Sequence, residues 1–426
     1  MKKKCIFSFV LLLLLAGVLN AWEIRKETAV TDDGITLVAK RYMNKNGIPV
    51  ILLHGFASNY YTWDIPGKSL GKFLADHGYD VWLFNLRGHG EGEFQSGPSR
   101  GPGNWDFDTF AVYDVPAMIR KVMETTGKRP FWIGHSMGGM LIYAYLEGVY
   151  PVKENYGFTV SSSEELSIKR NRNLRGVVAV GSPAGLSYPV NLENGGLESL
   201  TKYNYSDYNL LLETMVTIPW NTLKKFLYPV THNESLTDSL NLPPEIILSN
   251  STFTLVMSIM SPIFSSFLGM KRLPDLGYIH KYIEKNLHMT PFQFVLGNIW
   301  NVKNTELKDI YFMYQHGLDN ISPQLIHQFY NWLRYGNFKE LCDGSPCNNY
   351  DYEKHLKRIT LPILFIAGEL DKLANKDNIK VRVFKKIGSG DRKFVVFKGF
   401  GHVDLCMGKR VERVFNLILR WLRLHE

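Results

Sequence analysis

The sequence predicts an α/β chain: a mostly parallel sheet covered by helices on both faces, with a helical insertion. Three observations carry that expectation. Short apolar runs rich in β-branched residues alternate with longer segments of helical periodicity, in one block near the amino end and a second near the carboxyl end. Those runs are continuously apolar, the mark of strands buried on both faces. Between the blocks, from about residue 186 to 355, the alternation stops.

In chain order, KETAVTDDGITLVAKRYM reads as an antiparallel hairpin entering the sheet. PVILLHGF (49–56), YDVWLFNLRG (79–88), RPFWIGHS (129–136) and RGVVAVGSP (175–183) are the strands of the first block, with helix-like segments near 68–77, 108–126 and 137–149. LPILFIAGELD (361–371) and RKFVVFKGFGH (392–402) form the second block, with a helical stretch between them. The chain closes on KRVERVFNLILRWLRLHE, where Val411, Val414, Phe415, Ile418, Leu419 and Leu422 recur at helical spacing. In the insertion, Pro219, Pro229, Pro243, Pro244, Pro262, Pro274 and Pro291 divide the chain into short helices. The stretch FTLVMSIMSPIFSSFLGM (253–270) has the hydropathy of a membrane span, but Pro262 and four serines favour a pair of buried amphipathic helices. The expected division is a leader (1–21), the first part of the core (22–185), a helical cap (186–355) and the second part of the core (356–426).

The leader shows Lys2, Lys3 and Lys4, an apolar run from Ile6 to Leu19, and then Asn20-Ala21, the order of a secretory signal peptide. The run falls short of the ~20 apolar residues of a spanning helix. Export with cleavage near Ala21 is expected, an uncleaved anchor being the alternative. Without the leader the formal charge falls from +9 to +6. Basic residues cluster at Lys169, Arg170, Arg172 and Arg175 and again between Lys380 and Lys393. They read as a solvated surface, with attraction to an anionic interface as the alternative. No motif supports nucleic-acid binding. Cys342 and Cys347 flank a turn-forming Asp-Gly-Ser-Pro, so an oxidising compartment favours a local disulfide, leaving Cys406 as a buried thiol.

In an open parallel sheet, ligands gather at the carboxyl ends of the strands. Ser136 ends a strand inside Gly134-His135-Ser136-Met137-Gly138, a Gly-x-Ser-x-Gly turn with a helix directly after it. A sharp strand-to-helix turn holds a hydroxyl out, and neighbours without side chains leave room for substrate. A serine needs a base to take its proton, and that base needs an acid to orient it. His402 and Asp371 lie just past later strand ends on the same edge. Glu369 and Asp404 are the competing acids; Glu369 lies nearer the strand, and Asp404 is expected to orient the loop of His402. Acyl transfer also needs oxyanion donors, expected from the backbone N–H groups of Met137 and of Phe56 in LLHGF. His54 and His135 are expected to be structural.

On these residues the chain resembles the α/β-hydrolases, and its first 150 residues are similar to the acid lipase family that includes gastric and lysosomal acid lipases. The resemblance is carried by LLHGF, LADHGYDVWLFNLRG (74–88), WDFDTFAVYDVPAMI (105–119), GHSMGG, GELDKLAN (368–375) and GHVDL (401–405). It implies neutral-lipid or carboxylic-ester hydrolysis, with the triad at Ser136, Asp371 and His402. Two departures stand out: those lipases carry glutamine after the nucleophile where Met137 stands, and RGHGEGEF replaces their RGN continuation.

The resulting expectation is an exported serine hydrolase of carboxylic esters with hydrophobic acyl chains, working through an acyl-enzyme on a small-molecule or lipid ester, with a possible lipid interface. An acyltransferase or polyester synthase, a peptidase of the same fold and a non-enzymatic binding protein are the alternatives. Related synthases carry cysteine at the nucleophile position, and dehalogenases and epoxide hydrolases need a carboxylate there. Without a metal cluster, phosphate loop or dinucleotide fingerprint in the sequence, no metal and no cofactor is expected.

Overall fold

A computed structural model describes residues 22–98, 105–186, 301–319, 321–342 and 347–426. The leader, most of the expected cap and the apolar stretch 253–270 lie outside the described residues. Among the described residues no helix is long and apolar enough to cross a membrane.

The leading hairpin and the apolar runs form one eight-stranded sheet: β1 (Glu23–Val30), β2 (Thr36–Met43), β3 (Pro49–Leu53), β4 (Asp80–Phe84), β5 (Phe131–His135), β6 (Gly176–Val180), β7 (Ile363–Gly368) and β8 (Arg392–Phe397). Their spatial order is β1-β2-β4-β3-β5-β6-β7-β8. β2 runs antiparallel to β1 and β4, and every pairing from β4 to β8 is parallel. Successive residues of the pleat point to opposite faces. Thus Ile51, Leu53, Trp82, Phe84, Trp132 and Phe365 join one apolar layer, while Val50, Leu52, Leu83, Ile133, Val178 and Ile366 join the other.

Helices seal both layers. α1 (Leu70–Asp76) begins where Ser69 accepts a hydrogen bond from the Lys72 N–H. A helical stretch from Phe107 leads into α2 (Val115–Thr126), which Gly127 ends at φ 66°. α3 (Met137–Leu146) is buried along its whole length. The closing helix places Val414, Phe415, Ile418, Leu419 and Leu422 in the core, the residues its periodicity predicts.

Between α3 and β6 the sequence reading assigned no element. There the chain forms a hairpin (Val149–Glu154 with Gly157–Ser162) and then α4 (Glu164–Arg172). In the basic cluster, Lys169 and Arg172 are exposed as the solvated reading expects, and the correction falls on Arg170 alone. Arg170 is buried, donating to the carbonyls of Tyr145 and Val149 at 3.0 and 2.7 Å with its guanidinium 4.4 Å from the Tyr145 ring.

The described part of the expected cap is helical and tied to the core by buried carboxylates. In it, α5 (Pro323–Tyr335) starts at a Ser322 cap and ends at Gly336 in the left-handed region. Asp108 accepts from Gln328 Nε2, the Leu341 N–H and the Tyr352 hydroxyl at 2.9, 2.8 and 2.5 Å. Glu340 accepts from the N–H groups of Val160, Asn348 and Tyr350 at 2.7, 2.9 and 3.1 Å. A disulfide joins Cys342 to Cys347.

Another buried pair fixes the turn after β4. Arg87 donates from Nε and its backbone N–H to Asp114 at 2.8 and 3.0 Å, and from both terminal nitrogens to Asp33 at 2.6 and 2.9 Å. Removing one member of a buried pair leaves the other charge uncompensated. Asp114→Ala is therefore expected to lower the unfolding free energy by roughly 3–5 kcal/mol in urea denaturation. A loss below about 1 kcal/mol would put the pair in the class of surface salt bridges.

Candidate active site

The carboxyl ends of β5, β6 and β7 converge on three side chains. Ser136 stands between the last residue of β5 and the first of α3, at φ 52° and ψ −118°. A non-glycine residue in that region costs about 1–3 kcal/mol, so it persists only where its surroundings impose it. Here the Ser136 N–H donates to the Val180 carbonyl at 2.8 Å, and the Ser136 carbonyl accepts from the N–H groups of Gly139 and Met140 at 3.0 and 3.2 Å. The peptide is thereby held by β6 on one side and by the first turn of α3 on the other.

Asp371 follows β7 in a tight turn, with its N–H donating to the Gly368 carbonyl and its Oδ1 accepting from the Ala374 N–H at 2.7 Å. The other oxygen accepts from His402 Nδ1 at 2.8 Å. A carboxylate only accepts, so Nδ1 carries a proton, and the neutral ring has its lone pair on Nε2. Both groups are buried, at 2% and 3% exposure. The pair lies against Gly181, at φ 57°, where a β-carbon would stand 3.2 Å from His402 Nδ1 and 3.4 Å from Asp371 Oδ2.

His135 links the histidine loop to the serine elbow. Its Nε2 donates to the His402 carbonyl at 3.2 Å, and the two rings are 4.6 Å apart. The loop after β3 closes the other side: a β-carbon on Gly55 would come within 2.9 Å of Ser136 Cβ, so only glycine lets Phe56 follow so near the hydroxyl. Met137 is the first residue of α3, where a backbone N–H has no acceptor within the helix. Of the five residues singled out from sequence, Asp371 and His402 are hydrogen-bonded to each other, Ser136 and Met137 open α3, and Phe56 follows the glycine that lies against Ser136. Among the described residues Ser136 Oγ makes no hydrogen bond, a looseness common in unliganded sites.

The competing acids are engaged elsewhere. Glu369 accepts from the Gly399 N–H at 3.0 Å. Asp404, fully buried, accepts from the Gly401 and Asn301 N–H groups, Thr305 Oγ1 and Asn304 Nδ2 at 3.0–3.2 Å, which braces the loop of His402. Sequence reasoning did not find what holds the loop of Phe56. Residues 316–319, some 260 positions away, lie along it, and no local pattern announces them.

Residues 48–151 match the family model of the alpha/beta hydrolase fold. That match and the order of the sheet give the fold class: the chain has the α/β-hydrolase fold. Within the class it is similar to lipases. It is 32% identical over 144 residues to lipase lipl-3 of Caenorhabditis elegans, covering 30% of this chain and 36% of that protein. It is 37% identical over 128 residues to human lipase member K, covering 26% and 32% of the two chains. With human gastric triacylglycerol lipase it shares 37% over 123 residues, covering 26% and 31%. The matches span about a third of the length of these relatives.

His54 is neutral by construction: its Nδ1 donates to the Gly55 carbonyl at 2.8 Å, and its Nε2 accepts from the Leu86 N–H at 3.2 Å. Burial, with His89 nearby, holds this imidazole well below the ordinary histidine range. In the unfolded chain it takes up a proton near pH ~6.5. Its contribution to stability is thus complete above that pH and is lost as pH falls through it. His54→Gln should flatten the pH dependence of unfolding free energy between pH ~6 and ~5, by up to about 1.4 kcal/mol per pH unit. Parallel curves for variant and wild type would show that His54 is protonated in the fold.

Proposed function

We propose that this chain is an exported serine hydrolase that cleaves carboxylic esters of hydrophobic acyl chains through an acyl-enzyme. The observation that carries the reading is the His402–Asp371 pair, oriented at 2.8 Å beside a serine held at φ 52°. Asp371 fixes the tautomer of His402, whose Nε2 takes the Ser136 proton as Oγ attacks the ester carbonyl. The C=O π electrons move onto oxygen, and the N–H groups of Phe56 and Met137 stabilise that oxyanion. Protonated His402 then gives its proton to the leaving alcohol, and water repeats the cycle to release the acid. Met137 in place of glutamine leaves this chemistry intact, because the donor is the backbone.

Similarity to proteins named lipases supports an ester substrate. The cap reading, residues 186–355, is proposed here as the roof of an acyl pocket. Phe56 packs against Phe329 of α5 with ring centres 4.6 Å apart and planes tilted by 36°, an apolar contact that supports this reading.

The roles are tested on purified protein with p-nitrophenyl esters. Ser136→Ala and His402→Ala should each lower kcat by about 10⁴-fold or more, with the double variant little worse, because the groups act as a unit. Asp371→Asn should keep the fold and lose most activity, since its amide favours the wrong tautomer. Retention of wild-type turnover by Ser136→Ala would end the assignment.

The acyl specificity is tested by chain length. Each buried methylene contributes about 0.8 kcal/mol, roughly fourfold in specificity per carbon where the pocket is dry. Thus kcat/KM should climb from acetyl to octanoyl esters. A preference for acetyl esters would leave a short-chain esterase or a peptidase.

A further inference from the structure

The loop that carries Phe56 is held in a costly shape. Ala57 sits at φ 56°, and an L-residue there costs of order 1–2 kcal/mol relative to its right-handed conformation. Relaxing Ala57 would turn the peptide planes on either side of it, and with them the direction of the Phe56 N–H. Residues 316–319 run along this loop. Ser58 pairs with Leu318 in an antiparallel bridge. Ser58 Oγ donates to the Gly317 carbonyl at 2.9 Å and accepts from Thr62 Oγ1 at 2.6 Å. Asn59 Nδ2 donates to the His316 carbonyl at 2.7 Å.

Asp319 joins this loop to another. Its N–H donates to the Ala57 carbonyl at 3.1 Å, while its Oδ2 accepts from the Gly90 N–H at 2.7 Å. Asn59 lies close to its carboxylate, which is itself mostly shielded from water. Gly90 belongs to RGHGEGEF, the segment that follows β4. A single residue thus fixes the strained carbonyl with its backbone and the loop after β4 with its side chain.

We propose that Asp319 is a positioning residue for the oxyanion loop, joining Gly90 to Ala57 so that Ala57 stays left-handed and the Phe56 N–H stays aimed at the space beside Ser136. This rests on the reading of Phe56 as an oxyanion donor. Asp319 touches no reacting atom; it acts through the backbone of Ala57. Its effect therefore belongs to the transition state, where charge has moved to oxygen, and not to ground-state binding.

The test compares the wild-type chain with Asp319→Ala, Asp319→Glu and Asp319→Asn. The readouts are kcat and KM on an octanoyl ester and Ki for a trifluoromethyl ketone of the same acyl chain, whose adduct carries the oxyanion. Because a misplacement of about 1 Å can cost ~10²-fold, Asp319→Ala should lose ~10–100-fold in kcat with KM little changed. The ketone Ki should rise by the same factor as kcat/KM falls. Asp319→Glu, whose carboxylate is displaced by a methylene, should fall in the same direction and serves if the alanine variant does not fold. Asp319→Asn keeps an acceptor for Gly90 and should recover most of the loss. A fall in kcat with unchanged Ki would mean only fewer folded molecules and would overturn the proposal, as would wild-type kinetics in Asp319→Ala. Hydrogen exchange across residues 55–59 separates this proposal from the ester-hydrolase reading. Even if the wild type were inert on every ester, Asp319→Ala should raise exchange there by about tenfold or more, and unchanged exchange would overturn the clamp.

Discussion

Much of the architecture around the site follows from the backbone of Ser136. A serine at φ 52° and ψ −118° leaves a parallel strand and enters a helix within one residue. That turn needs an acceptor from the next strand, which Val180 supplies, and a helix to take up its carbonyl, which α3 supplies. It also needs open space above it, which is why Gly55 and Gly181 stand at the ends of the neighbouring strands. Because β5 lies between β3 and β6, the loops after β3, β6 and β7 all come within reach of the same hydroxyl. The sheet order and the site geometry are one constraint seen at two scales.

A second feature is the use of buried carboxylates as fasteners. Asp108, Glu340 and Asp404 each accept several N–H or O–H groups from segments far apart in sequence. An apolar contact tolerates sliding by a fraction of an ångström, whereas a carboxylate with directional donors accepts one arrangement and penalises the others, since an unmet buried donor costs about 1–3 kcal/mol. All three bind residues between 301 and 350, so this part of the chain is registered on the sheet by polar contacts as much as by Trp332 and Phe338.

The inner strands were legible because burial on both faces writes itself as nearly uninterrupted apolar runs, and the closing helix because its apolar stripe keeps strict spacing. The placement of Ser136, Asp371 and His402 was legible for a related reason. Each stands just past a parallel strand, so recognising the strands placed all three on one edge. Arg170 was not legible, since a cation among basic neighbours reads as solvated; only the carbonyls of Tyr145 and Val149, brought round by α3, make its burial tolerable. The hairpin at 149–162 packs outside the main sheet and is half-exposed, which leaves no clean alternation to read. The partners of Ser58 and Asn59 lie more than 250 positions downstream, beyond any local pattern.

That separation bears on how the molecule comes into being. Synthesis delivers the serine elbow early, the braces of the Phe56 loop much later, and the acid and imidazole only near the carboxyl end. Long-range contacts of this kind form last and slowly. A growing or truncated chain would carry the serine elbow without the Asp371–His402 pair and without the braces of the Phe56 loop. The geometry at these strand ends is thus a property of the whole fold, assembled from segments at both ends of the sequence.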